Sequence, residues 1–106
     1  GGVFVPQYKV GKFGEGFMYH SEGTLLFCQN IETETNPEKL TWETFPKGGR
    51  GIRTDRAVSN ISEEHSFVVL SDNSIFCTFR TVTGHPYCAY SRDGGELFEA
   101  RAPHLR

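Results

Sequence analysis

A chain of 106 residues has one domain's length and room for only a modest core. With 23% charged and 37% hydrophobic residues it suits a soluble globular domain, and no run approaches the ~18 apolar residues of a membrane-spanning helix. Eleven basic against 13 acidic side chains give a formal charge of -2, which provides neither a nucleic-acid footprint nor a polybasic membrane patch and fits a neutral or weakly polar partner.

Nine Phe and four Tyr, with 12 Gly and five Pro, predict strands joined by turns and favour helix nowhere. Cys28, Cys77 and Cys88 fall inside apolar strand-like runs, so reduced, buried thiols are the default expectation. A Cys77–Cys88 pairing across neighbouring strands stays open. The opening GGVFVPQ carries neither Met nor a signal-like apolar stretch. That leaves a processed product and a piece of a longer polypeptide both open, and the compartment unread.

Period-two alternation marks FMYH (17–20), TLLFCQN (24–30), LTWETF (40–45), SFVVLS (66–71), SIFCTFR (74–80), YCAYS (87–91) and LFEARA (97–102). The segments between them, HSEG, TETNPEK, PKGGRG, SDNS, VTGHP and SRDGG, are rich in turn formers. SDNS and SRDGG suit hairpin loops because Asp, Asn and Gly tolerate positive φ at low cost. The prediction is an all-β, antiparallel meander. A loose repeat sets EGTLLFC and the later LTWETFPKGG beside DNSIFC and the later ELFEARAPHL, with Trp42 and Phe98 56 residues apart. That period fits the four short strands of one propeller blade. It divides a single all-β unit, 1–106, into a degenerate first blade over about 13–58 and a second over 59–106. The first copy lacks a clear third strand between Asn30 and Leu40.

In Ser91-Arg92-Asp93-Gly94-Gly95-Glu96-Leu97-Phe98 a turn is closed by polar side chains and followed by an aromatic. Ser91 and Asp93 can bond backbone N–H groups of their own turn, Gly95 supplies a conformation that a Cβ would penalise, and Phe98 supplies an apolar plug. The stretch resembles the Asp-box, S-x-D-x-G-x-T-W, of the sialidase (neuraminidase) and BNR-repeat proteins, which are β-propellers. Leu97 stands where that pattern has Thr and Phe98 where it has Trp. The preceding residues extend the resemblance. EEHSFVVLSDNSIFCTFRTVTGHPYCAYSRDGG, from Glu63, is similar to the blade pattern of Glu, apolar strand, turn, apolar strand ending in Arg, polar loop, strand and box. Arg80 lies 11 residues before Ser91, as that pattern implies.

The resemblance implies a structural rim for the box residues Ser91, Asp93, Gly95 and Phe98, away from any chemistry. It implies a catalytic role for Glu64, with Glu63 as the other residue that fits, and a substrate-binding role for Arg80, as one arginine of a carboxylate clamp. Arginine suits that task through charge-assisted, bidentate bonds, and a Tyr nucleophile of ordinary pKa needs a neighbouring base. His85, on the loop beside Arg80, is a candidate pocket residue. Each has a plainer reading: a solvated carboxylate pair at Glu63 and Glu64, a surface cap at Arg80, a surface turn at His85-Pro86.

The rest of the machinery is not legible. No R-I-P segment is present, and GIRTDR (51–56) offers Arg53, Asp55 and Arg56 outside the family context. Tyr8, Tyr19, Tyr87 and Tyr90 match no nucleophile motif. His20, His65, His85 and His104 lack metal-ligand spacing, so neither a zinc site nor any cofactor is expected. The chain holds enough residues for about two blades. It is therefore part of a larger propeller, a unit whose copies close a ring, or a small sandwich or barrel. Two functions follow: a partial, sialidase-like glycoside hydrolase acting on a glycan that ends in sialic or another acidic sugar and inactive alone, or a non-catalytic carbohydrate-binding or structural propeller module.

Overall fold

The computed structural model describes residues 2–10 and 20–102. Seven strands run in chain order: β1 (Val3–Val10), β2 (Ser21–Cys28), β3 (Trp42–Phe45), β4 (Glu63–Val69), β5 (Ile75–Arg80), β6 (Tyr87–Ser91) and β7 (Glu99–Arg101). One 3-10 turn, Pro37–Lys39, is the only helical element among the described residues. The chain is all-β. Two antiparallel sheets form, a three-stranded one in the order β1-β2-β3 and a four-stranded meander β4-β5-β6-β7. Among the described residues neither closes on itself, and β1, β3, β4 and β7 are their edges.

Strand β1 is the element that alternation missed. Pro6 sits in its middle and has no N–H to donate, a feature that reads as a strand breaker. The edge position resolves this, because β1 pairs only with β2, Pro6 opposite Leu25, and one side of its backbone needs no partner. Of the expected strand at 17–20, residues 17–19 lie outside the described residues, and His20 belongs to no strand. Between Asn30 and Leu40 a side chain replaces the absent strand. Asn30 accepts the Thr41 N–H at 3.1 Å and donates to the Lys39 carbonyl at 3.1 Å, stapling the loop.

The two sheets meet where β1 and β2 contact β4. Directly opposite residues share a face. Leu25 and Phe45 therefore point the same way from their sheet, and Phe4, Phe27 and Phe45 form an aromatic cluster with centroids 4.7 to 6.4 Å apart. In the four-stranded sheet the inward face carries Cys77, Ala89 and Phe79, joined by Ile52 from the β3–β4 connection. Burying Leu25, Ile52 and Phe79 contributes about 1.5–3 kcal/mol each.

Register also decides the thiols. Cys77 is opposite Ala89 and faces inward, while Cys88 is opposite Thr78 and faces the other side, so the open Cys77–Cys88 pairing is not made and all three cysteines are free. Cys28 and Cys77 are buried and Cys88 half-buried. Burial pushes the Cys77 thiol up to about 12. The loose repeat equates two unlike positions: Trp42 is exposed on β3, whereas Phe98 is half-buried and packs edge-on against Phe67.

One junction welds the sheets. Gly23 of β2 and Ile52 exchange both backbone hydrogen bonds at 2.8 Å, and the same Ile52 carbonyl lies 3.1 Å from His65 Nε2. Because a carbonyl only accepts, Nε2 carries the proton and Nδ1 is bare; Nδ1 is buried without a partner. The His65 ring stacks on Phe79 at 4.7 Å and covers Gly23 so closely that a Cβ there would collide with it. His65 is thus a core residue, held neutral by burial, which lowers its pKa from 6.5 to about 4.

Above pH 6.5 His65 is neutral in both the folded and the unfolded chain. As pH falls from 6.5 towards 4 the unfolded chain takes up a proton that the folded chain resists, and stability is lost, by roughly 3 kcal/mol at the lower end. Urea midpoints at about pH 7.5 and about pH 4.5 should show this loss, and His65→Gln, which keeps a donor for Ile52, should flatten it.

Candidate functional site

The β6–β7 corner is built by side chains reaching back to their own loop. Ser91, the last residue of β6, donates its hydroxyl to Asp93 Oδ1 at 2.8 Å and accepts the Gly95 N–H at 2.9 Å. Asp93 Oδ1 also accepts the Leu97 N–H at 3.0 Å. Gly94 and Gly95 take φ of 76° and 98°, a region that side chains strain to enter. The Leu97 N–H, then the Ser91 hydroxyl, hold the Asp93 carboxyl below its ordinary range. Phe98 then turns inward onto Phe67, and Glu96 accepts the Lys47 N–H at 3.2 Å, tying the corner to the end of β3. Ser91, Asp93 and Gly95 thus close the turn by bonds within their own loop. A smaller version closes the β4–β5 hairpin, where Asp72 Oδ1 accepts from the Ser74 N–H and hydroxyl and Asn73 takes φ 66°.

At the opposite ends of these strands the chain makes a shallow recess of about 460 Å³. Strand β4 enters it through a bulge. Glu63 is opposite Arg80, but the register slips by one before Ser66 meets Thr78, and Glu64 takes up the slack at φ 56°. A non-glycine residue in that conformation is strained, and such strain concentrates at functional positions. The kink separates two consecutive carboxylates. Glu63 is buried, and Glu64 projects into the recess with 66% of its side chain exposed.

Arg80, at the end of β5, lies between them, its Nη1 3.6 Å from Glu63 Oε2 and 3.9 Å from Glu64 Oε1. The far wall is the β5–β6 loop. Thr81 and Thr83 hydroxyls both donate to the His85 carbonyl, at 2.9 and 3.0 Å, and Gly84 turns the chain at φ 98°. The His85 ring stacks on Tyr87 at 5.4 Å and 13°. Glu64 thus lines one recess with Arg80 and His85, which are five residues apart, together with Phe79, Thr81 and Pro86.

Other sequence candidates lie elsewhere. Arg53 is 2.9 Å from the buried Glu22 carboxylate, with Arg56 at 3.6 Å, and Arg53 and Asp55 line a separate cavity of about 510 Å³ between the β3–β4 connection and β7. Tyr90 packs on Phe76 on the outer face of the four-stranded sheet. Tyr19 and His104 lie outside the described residues. The structure gives Tyr8 and Glu63 surroundings that the sequence did not show. Tyr8 shares with Glu64 a groove of about 530 Å³ adjoining the recess, and Glu63 is the buried partner of Arg80. The Glu-Glu doublet was visible, but nothing in it signals the bulge that sends its members to different environments. Among the described residues no three His, Cys, Asp or Glu side chains gather as metal ligands, and no helix is long and apolar enough to cross a membrane. No family model matches the chain, and no curated protein or solved structure is significantly similar to it.

Removing the hydroxyl at Ser91 tests the corner. Ser91→Ala leaves the buried Gly95 N–H without an acceptor, at a cost of about 1–3 kcal/mol, and thermal unfolding should shift down by roughly 4–8 °C per kcal/mol. The recess residues should keep their backbone amide shifts in the variant.

Proposed function

We propose that this chain is a sialidase-like pair of propeller blades that contacts a glycan through the Glu64–Arg80–His85 recess and does not hydrolyse it unaided. The observation that supports the reading is that Glu64 and Arg80, both picked out by the sequence pattern, share one concave surface with the neighbouring His85 at one end of the sheet. The closed Ser91–Asp93–Gly95 corner between the third and fourth strands of a four-stranded meander supports the blade assignment. Open sheet edges and exposed Trp42, Val68 and Val69 support further blades, from a longer chain or from other copies.

Binding without hydrolysis is proposed because neither a Tyr nor a second carboxylate lines the recess among the described residues. Cleavage of a glycosidic bond uses two catalytic groups flanking the sugar. Glu63 and Glu64 stand side by side against one guanidinium, and Glu64 is the only carboxylate among the described residues that line the recess. A nucleophile and a general acid would come from the missing blades. The alternative, a purely structural module, is the outcome that the next experiment separates.

A glycan array probed with the chain and with Arg80→Ala, at a temperature where both are folded, should show binding that the variant loses by about tenfold or more; its unfolding midpoint should fall, because the buried Glu63 carboxylate loses its cation. Equal binding by both would make the recess structural only. Turnover of a fluorogenic sialoside by the chain alone would contradict the assignment of catalysis to other blades.

A further inference from the structure

Two anions address the Arg80 guanidinium, and they differ in their access to water. Glu64 is solvated, so its contact at 3.9 Å is screened. Glu63 keeps 5% of its side chain exposed, its Oε2 lies 3.6 Å from Arg80 Nη1, and its Oε1 is buried with no hydrogen-bond partner. A carboxylate in that position has no solvent to turn to and draws the nearest cation towards itself. Glu63, Glu64 and Arg80 together carry one net negative charge. A sugar carboxylate entering the recess meets a cation already shared by two anions. A neutral sugar meets a more suitable surface: the outward N–H groups of Arg80 donate to hydroxyl oxygens, and the solvated Glu64 carboxylate accepts hydroxyl protons.

We propose that Glu63 is the specificity-determining residue of the recess: it holds Arg80 and cancels its charge, so that the recess takes the hydroxyls of a neutral sugar in preference to the carboxylate of an acidic one. This departs from the acidic sugar that the sequence resemblance implies, and it rests on the reading of the recess as a sugar-contacting surface. The buried position of Glu63 is what gives it this role, since removing a solvated charge such as Glu64 changes the local field less.

The test follows the Arg80 Nε–Hε signal by NMR in the full chain, assigned through its loss in Arg80→Lys, with acetate as the smallest carboxylate probe. In the wild type acetate should scarcely move this signal, whereas in Glu63→Gln it should bind roughly fivefold or more tightly. Glu63→Asp, which keeps the charge but draws it back by one methylene, should respond in between, and it serves if Glu63→Gln does not fold. An equal acetate response in wild type and variants overturns the proposal. Titrations with lactose and 3′-sialyllactose then test the sugar. Shifts at Glu64, Arg80 and His85 with lactose, and no tighter binding of the sialylated sugar, are expected. Tighter binding of 3′-sialyllactose by the wild type overturns the proposed preference. If acetate binding is gained in Glu63→Gln and neither sugar binds, the sugar reading fails while the charge-setting part of Glu63 stands.

Discussion

Everything in the molecule leans on the Ile52 carbonyl. It accepts the Gly23 N–H from one sheet and the His65 Nε2–H from the other, so a single oxygen is bonded to both sheets. The arrangement works because two glycines admit it. Gly23 lets the imidazole lie flat on β2, and a Cβ at Gly51 would approach the Gly23 carbonyl to 2.6 Å, so both backbones come closer than side chains permit. The ring that fills the gap gives up protonation to do so. Burial wins over the stabilising hydrogen bond to Ile52, and an ionisable side chain behaves as a core aromatic.

The recess inherits its geometry from that junction. His65 must face inward to reach Ile52 and Phe79, yet Glu63 must meet Arg80 at the strand's start. Regular pleating would satisfy one register only. The bulge at Glu64 satisfies both, and its consequence is an exposed carboxylate at the lip of the recess with a second one buried beneath the guanidinium. Packing in the core and charge at the surface are thus coupled across three consecutive residues, Glu63, Glu64 and His65.

How much of this was legible depended on range. Strands β2 to β7 alternate visibly, and the Ser91–Asp93–Gly95 corner is a local device whose partners lie within six residues, so both could be read from the sequence. Arg80 and His85 are five residues apart, so their sharing a recess is local, whereas Glu64 joins them only through the pairing of β4 with β5. What escaped was non-local. Strand β1 hides behind Pro6 until its edge position is known. His65 looked like one more histidine without metal spacing, because Gly23 and Ile52, which make it a core residue, are 42 and 13 positions away. Glu63 and Glu64 are chemically identical letters, and only the bulge tells them apart.

The sheet register has a practical corollary for the three thiols. Cys28 and Cys77 are shut inside, the latter with its ionisation suppressed by burial, whereas Cys88 looks outward beside Thr78, on the side that carries Val68, Phe76 and Tyr90. The register therefore leaves a single addressable sulfur, on the outer face of the four-stranded sheet. A fluorophore coupled there would sense directly whether that flank is wet or occluded.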